Sequence, residues 1–106
     1  MAGMETLHFA FDGGHALPAF APTLVGVVAS GNLEVLVESA AGTGCRIDID
    51  TSARGFGAVW EAVLRDFHAR HGLAGLAVSI NDMGATPAVV SLRLDQAIAA
   101  IQGSAP

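Results

Sequence analysis

The residue of this 106-residue chain best placed for chemistry is Ser30, which Gly31 follows directly. Two apolar, β-branched runs flank this pair within Leu24–Glu38, LVGVVASGNLEVLVE. A two-residue loop that begins with glycine suits the primed turns of β-hairpins. The stretch therefore predicts a hairpin whose loop is Gly31 and Asn32. Ser30 would then place a single hydroxyl at the exposed end of a rigid ribbon.

The cross-strand pairing of this hairpin follows from the position of its loop. Moving the loop by one residue would set Val28 against Glu34, so the predicted register is the one that keeps apolar side chains on one face. The predicted pairs are Ser30 with Leu33, Val28 with Val35, and Gly26 with Val37.

Ser30 has no base near it in sequence, so nothing visible would activate it as a nucleophile. Taken by itself, it is an ordinary turn serine. The four histidines are scattered, and only His68 and His71 have a spacing at which two side chains of one helix could ligate a metal. No third ligand has a matching spacing, which favours a helix-surface pair over a metal site.

Carboxylates and the single thiol are the remaining candidates for chemistry. Asp48, Asp50 and Asp82 could serve in acid–base catalysis. The first two alternate with apolar residues, which favours a solvated strand face. Cys45 has no partner for an internal disulfide, and its setting favours a small buried hydrophobe over a catalytic thiol. The sequence contains no nucleotide-binding glycine loop and no G-x-S-x-G motif.

Composition limits the classes of function. Hydrophobic residues make up 52% of the chain and charged residues 14%, so part of the apolar surface is expected to meet a partner subunit. The net charge is −5 and there is no basic cluster, so we expect no nucleic-acid binding. No apolar run has the length of a membrane span, and Met1–Phe11 lacks a signal-peptide pattern, so we expect a cytoplasmic protein.

Periodicity predicts the elements that position these residues. Alternation of apolar and polar residues predicts strands at 7–11, 45–49 and 76–80, in addition to the hairpin. A helical stripe predicts a helix from Phe56 to Gly72, and Thr86 begins a second helix that runs to Gly103. Val90, Leu92 and Leu94 also fit a strand. Residues 13–22, rich in glycine and proline, are predicted to be a flexible loop.

These elements predict a single α+β domain over residues 1–106, with the order β-β-β-β-α-β-α. Half-polar strands and one-sided helices bury their apolar surfaces most economically as a two-layer sandwich. We therefore expect a roughly five-stranded, mostly antiparallel sheet packed against two helices. Ile47 to Ile80 would form a right-handed β-α-β crossover if their strands are parallel.

Several segments together resemble the acyl carrier subunit (delta subunit) of malonate decarboxylase, over nearly the whole chain. A more distant resemblance is to the gamma chain of citrate lyase, but Gly84–Pro87 and Trp60 favour the malonate enzyme. The segments that carry the resemblance are METL at 4–7, VGVVASGNLEVL at 25–36, DTS at 50–52 before Gly55, Phe56 and Trp60, INDMGATP at 80–87, and LRLDQA at 92–97.

The resemblance implies a prosthetic group on Ser30, namely 2'-(5''-triphosphoribosyl)-3'-dephospho-coenzyme A joined by a phosphodiester, with Gly31 as its small neighbour. Asn32 stands where the family pattern usually has an acidic residue. The thiol of this group would hold acetyl and malonyl thioesters. The implied partners are the acyl-transferase and decarboxylase subunits and the transferase that attaches the group, so the chain itself would be non-catalytic.

Three other functions remain open from the residues. The chain could be a non-catalytic interaction module of a cytosolic enzyme complex, in which Ser30 is incidental. It could be the carrier subunit of an enzyme similar to citrate lyase. It could also be a small independent enzyme, although the sequence contains no assembled catalytic set.

Overall fold

The architecture is built from strands and helices that a computed structural model describes for residues 4–26 and 33–102. In chain order the elements are β1 (Glu5–Asp12), β2 (His15–Ala16), β3 (Thr23–Val25), β4 (Leu33–Ser39), β5 (Gly44–Thr51), α1 (Gly57–His71), β6 (Leu73–Ala74), β7 (Leu76–Asp82) and α2 (Pro87–Ile101). Within these described residues, no helix is long and apolar enough to cross a membrane.

Five strands form one sheet in the order β1-β5-β7-β4-β3. β5 and β7 are parallel, whereas the other three neighbouring pairs are antiparallel. Parallel neighbours need a long connection, and α1 lies in the chain between these two strands. The predicted mostly antiparallel five-stranded sheet with two helices is confirmed, and the strands of Ile47 and Ile80 are the parallel pair.

Strand alternation places the core on one face of the sheet. In β5, Cys45, Ile47 and Ile49 are buried, whereas Arg46 and Asp50 are exposed on the opposite face. The two helices pack against the apolar face and bury their own stripes in the same hydrophobic core. This one-sided burial gives the two layers that the sequence predicts.

The end of α1 and the start of α2 are where the sequence indicates, whereas α2 ends at Ile101, two residues before the predicted Gly103. Gly72 ends α1 in the left-handed conformation, with a φ of 58°, and its N–H donates to the carbonyl of His68. Thr86 caps α2, because its hydroxyl oxygen accepts from the N–H of Val89 at 3.3 Å. Pro87 occupies the first helical turn, where its missing N–H costs nothing. The predicted helix is therefore correct for Val90, Leu92 and Leu94, and the alternative prediction of a strand for these residues is wrong.

The β3–β4 hairpin exists, but its predicted register is wrong. Val25 pairs with Val35 and Thr23 with Val37, so the partner of Val37 lies three residues before the predicted Gly26. β3 ends at Val25, and Gly26 has a φ of 76°, which turns the chain away from the strand direction. An odd shift also exchanges the two faces of the strand.

The shift changes what connects the two strands. Residues 26–32 lie between β3 and β4, where the sequence predicts a two-residue loop. The predicted pair of Val28 with Val35 is wrong, because Val35 pairs with Val25. Ser30 and Gly31 lie outside the described residues, as does the predicted pairing of Ser30.

Residues 13–22 contain a short strand that the sequence does not predict. His15 pairs in parallel with Leu73, and Ala16 with Ala74, to form a separate two-stranded sheet. Two residues are too few for a recognisable alternation, which is why the pattern misses them. The flexibility of the loop stays a prediction.

Candidate functional site

The two predicted site residues, Ser30 and Gly31, belong to residues 27–32, which lie outside the described residues and which we call the serine segment. The residues on both sides of the serine segment are described. Leu33 begins β4 and pairs with Asp82 at the end of β7, and Asp82 also pairs with Thr51 at the end of β5. Ser30 precedes Leu33 by three positions in the chain. Leu33, Thr51 and Asp82 lie side by side at the ends of their strands, and we call this end of the sheet the Asp82 end.

The strand that follows the serine segment, β4, is fully buried on one face. β4 lies between β3 and β7 in the sheet. Leu33, Val35 and Val37 are fully buried, with 0% of their surfaces exposed, in the core that α2 helps to cover. The residue that directly follows the serine segment in the chain therefore belongs to one of the best-buried strands among the described residues.

The other flank brings an arginine into close contact with the chain. A Cβ atom at Gly26 would lie 2.7 Å from the carbonyl oxygen of Leu33 and 3.0 Å from both Cδ and Nε of Arg93. These separations are shorter than normal contacts, and Gly26 has a positive φ, so only glycine fits here. Arg93 lies on α2, and its side chain therefore packs directly beside the chain that leads to Ser30.

Sequence reasoning misses this arginine, although a signal exists. Val90, Leu94 and Ala97 form the buried stripe of α2. Arg93 is three residues after Val90 and four before Ala97, so it shares that face of the helix. A charged residue at a position where the stripe calls for an apolar one indicates a specific role.

A buried carboxylate holds the Asp82 end of the sheet together. Asp82 is 2% exposed, and its two carboxylate oxygens accept from the hydroxyl of Thr51 at 2.7 Å and from the N–H of Ala85 at 2.8 Å. The N–H of Ser52 donates to the backbone carbonyl of Asp82 at 3.0 Å. Together these bonds join β5, β7 and the connections that lead to both helices. We call Asp82, Thr51 and Ala85 the Asp82 cluster.

The Asp82 cluster argues against acid–base chemistry at this carboxylate, because both of its oxygens are occupied and buried. Asp48 and Asp50 instead bond across to β1, to His8 at 2.7 Å and to Thr6 at 2.9 Å, on the solvated face. The predicted solvated strand face is confirmed for these two residues.

An apolar cavity of about 310 Å³ opens at the same end, between the first turns of α1 and α2. Trp60 and Val90 line its inner part, and Phe56 and Val59 lie at its rim. Phe56 is 50% exposed and Val59 is 42% exposed. The predicted apolar stripe of α1 therefore begins with exposed residues and is buried at Trp60, Leu64 and Phe67.

The histidine pair of α1 does not converge on a metal site. Nε2 of His68 lies 3.2 Å from the carbonyl oxygen of Gly13, and its ring stacks on Phe11. Nε2 of His71 lies 2.8 Å from a carboxylate oxygen of Asp95 on α2. In residues 4–26 and 33–102, no three histidine, cysteine or acidic side chains come together as metal ligands would.

The thiol is a core group. Cys45 is 1% exposed, and burial raises its pKa to about 11. A thiol with that pKa is protonated at neutral pH and is a poor nucleophile. The prediction of a small buried hydrophobe is confirmed.

The fold and the site are those of a small α+β protein in which the serine segment precedes the first residue of a buried strand. Among the described residues, no set of side chains is arranged for catalysis. Comparison with known proteins gives the family. Residues 21–101, which include Ser30, match the family described as the malonate decarboxylase delta subunit. The chain belongs to this family of acyl carrier proteins, and the resemblance seen in the sequence is confirmed.

Individual relatives agree with this family. The chain is similar to the malonate decarboxylase acyl carrier protein of Burkholderia cepacia, at 70% identity over 93% of this chain and 92% of the relative. It is 61% identical to the protein of the same name from Xanthomonas axonopodis pv. citri, over 95% and 98%. A chain in the crystal structure of a Pseudomonas malonate decarboxylase hetero-tetramer in complex with malonate matches with a TM-score of 0.82 at 39% identity, over 92% of this chain and 99% of that one.

Proposed function

We propose that Ser30 is the residue through which this acyl carrier subunit of malonate decarboxylase bears its prosthetic group. The group is 2'-(5''-triphosphoribosyl)-3'-dephospho-coenzyme A, joined to the serine by a phosphodiester. The observation that carries the proposal is the family match, because residues 21–101 include the serine-glycine pair. Gly31 would leave room beside the hydroxyl for the enzyme that attaches the group.

The described residues around the segment suit such a group. Leu33 begins a buried strand, and Gly26 lies so close to the carbonyl oxygen of Leu33 that no side chain fits at position 26. The chemistry that the group supplies when bound is a terminal thiol that holds acetyl and malonyl thioesters.

The role of this chain is to hold and present that thiol. The Asp82 cluster and β4 fix the base of the segment, so the reach of the group starts from a fixed point. A tethered thiol has a high effective concentration at each site it can reach. Among the described residues no side chain is placed to act on a thioester, so the acyl-transferase and decarboxylase subunits would do the chemistry, in the cytoplasm.

Partner subunits are supported by the match to a chain from a hetero-tetramer. They would cover apolar surface that this chain leaves exposed at the Asp82 end, where Phe56 and Met83 are about half exposed, at 50% and 48%. Phe56 also shares an apolar cavity with Val59, which is 42% exposed, and exposed apolar residues that lie together are typical of surfaces that meet another protein. The same feature favours the second candidate function, a plain interaction module in which Ser30 has no role.

Substitution of Ser30 by alanine separates the two functions. If Ser30 carries the group, Ser30→Ala abolishes malonate decarboxylation by the assembled enzyme while assembly itself is unchanged, because only a hydroxyl is removed. Ser52→Ala is the matched control, since Ser52 is an exposed serine at the same end of the sheet. Activity would be measured with the complex purified by size-exclusion chromatography. Full activity of the Ser30→Ala complex would contradict the carrier function and leave the interaction module.

A further inference from the structure

The start of α1 exposes apolar side chains around a cavity. Phe56 and Val59 are half exposed, and both line the apolar cavity of about 310 Å³ between the first turns of the two helices. Trp60 and Val90 are buried and form its inner wall. Exposed apolar residues around a pocket that reaches the core are typical of surfaces that receive an anchoring side chain from another protein.

The lining of the cavity favours a protein over a charged small molecule. Among the described residues that line it, Asp82 is the one charged residue, and its two carboxylate oxygens already accept from Thr51 and Ala85. Small-molecule sites orient their ligand with a few free polar groups. An apolar side chain of another protein needs no such group, and the protein that carries it would also cover the exposed rim.

Arg54 gives this surface a positive charge. It is exposed, directly follows the cavity residue Ala53 and precedes Phe56 by two positions. In the part of the chain that the structure describes, no carboxylate forms an ion pair with Arg54. Glu5 lies beside the same loop, but its carboxylate accepts from the N–H of Gly55 at 3.1 Å. The charge of Arg54 is therefore available to another molecule.

The other ion pairs of the chain set Arg54 apart. The chain has ten acidic residues against five basic ones. Arg65 and Arg70 bond to carboxylates on their own helix, each at 2.8 Å, and Arg46 lies 3.9 Å from a carboxylate oxygen of Asp48. Arginine and aromatic residues are enriched in protein interfaces. Because opposite charges face each other across an interface, the surface that fits Arg54 carries a carboxylate.

We propose that Arg54, Phe56 and Val59, with the cavity behind them, form a docking surface for another subunit of malonate decarboxylase. We call it the Arg54 surface. The partner subunit inserts an apolar side chain into the cavity and places a carboxylate beside the Arg54 guanidinium. This inference rests on the proposed function for the identity of the partner, whereas the surface itself does not include Ser30.

Charge reversal tests the contact at Arg54. The affinity of the full chain is measured by isothermal titration calorimetry against the malonate decarboxylase complex assembled without this subunit. We expect Arg54→Glu to raise the Kd about tenfold, because it sets two negative charges against each other. A Kd equal to that of wild type would overturn the proposal.

Arg46→Glu is the matched control for net charge. Arg46 is exposed, and it pairs with Ala77, five positions along β7 from Asp82, so it lies away from the Asp82 end. The Kd of this variant should equal that of wild type. A rise equal to that of Arg54→Glu would overturn the proposal, because the effect would then be one of net charge.

Phe56→Ser tests the apolar part of the Arg54 surface. Phe56 is the N-cap residue of α1 and its side chain makes no capping hydrogen bond, so a serine there should not destabilise the helix. We expect the Kd to rise about tenfold, because an exposed aromatic contact is lost. Leu24→Ser is the control, since Leu24 is 54% exposed and pairs with Leu36 on the sheet face away from the helices. Equal Kd values for Phe56→Ser and wild type would overturn the proposal.

Trp60 reports whether the cavity is filled. It is the only tryptophan of the chain, so labelling with 5-fluorotryptophan gives a single ¹⁹F resonance. We expect this resonance to shift when the complex is added, and to shift equally for Ser30→Ala. An unmoved resonance in the bound chain would overturn the Arg54 surface and leave Ser30 as the carrier residue. A shift that depends on the concentration of the chain alone would also overturn it, because a second copy would then fill the cavity.

The proposed function fails by a different measurement. A native protein with no mass added at Ser30 would overturn the carrier function. The same protein would still bind the complex through Arg54 and Phe56 if the docking surface is correct, so the affinities of the variants decide the second proposal independently of the first.

Discussion

Two aspartates each accept two hydrogen bonds, yet they hold different parts of the molecule by different physics. Asp82 is 2% exposed and accepts from uncharged donors, a hydroxyl and a backbone N–H. The side chain of Asp95 is 41% exposed and accepts from an arginine and a histidine that lie on the other helix. Asp82 fixes the end of the sheet from which the serine segment starts, and Asp95 joins the two helices further along.

The difference in burial between Asp82 and Asp95 indicates which of the two contacts depends on salt. Buried hydrogen bonds are little affected by salt, and losing one partner leaves another polar group unsatisfied in the interior. Exposed ion pairs are screened by salt and contribute little. The buried bonds of Asp82 therefore stabilise the end of the sheet more strongly than the exposed ion pairs of Asp95 stabilise the contact between the helices. This suits a carrier, which needs a fixed attachment point.

The largest effect is expected from Asp82→Ala. The substitution removes two hydrogen bonds and leaves the buried Thr51 hydroxyl and the part-buried Ala85 N–H without their carboxylate partner, so we expect the free energy of unfolding to fall by about 3 kcal/mol. Chemical denaturation measures it. Asp50→Ala is the control, since Asp50 is exposed on the adjacent strand. Equal losses for the two variants would remove the distinction between the buried and exposed carboxylates.

A much smaller effect is expected from Asp95→Asn. This aspartate is partly desolvated, which opposes ionisation, but hydrogen bonds from His71 and Arg70 outweigh that and lower its pKa. Because the pKa is lower in the folded state, the stabilisation is complete above the ordinary aspartate value of about 3.9 and is lost as the pH falls through the folded-state pKa. At pH 7 we expect a difference below about 1 kcal/mol.

Denaturation of wild type and Asp95→Asn across acid pH and in high salt checks this prediction. The difference between the two proteins should shrink on acidification and on adding salt, because the first protonates the carboxylate and the second screens the pair. A difference as large as that of Asp82→Ala, or one that salt leaves unchanged, would mean that Asp95 contributes as a buried group does.

Local patterns predict the elements of this fold well. Alternation in β5 assigns Cys45 to the core and Asp48 to the solvated face, and both assignments are confirmed. Gly72 and Thr86 mark helix ends where the chemistry of a glycine and a hydroxyl allows few alternatives. These features depend on residues close together in sequence, which is why the sequence suffices for them.

Features that depend on distant residues are not predicted. The close approach of Gly26 to Arg93, 67 positions further along the chain, has no signal in the sequence around either residue. The Asp82 cluster likewise joins Thr51 to Asp82, and no motif in the sequence around either residue predicts this hydrogen bond. The hairpin pattern draws attention to Ser30, but its role is implied by the resemblance alone, since its neighbours in sequence give it no chemistry of its own.

The central claim is the covalent group on Ser30, and a peptide mass spectrum of the protein from its native host tests it most directly. Cleavage after acidic residues releases the peptide from Gly13 to Glu34, in which Ser30 is the only serine. The account predicts that this peptide is heavier than its sequence by one triphosphoribosyl-dephospho-coenzyme A group. An unmodified peptide from a complex that decarboxylates malonate would contradict it.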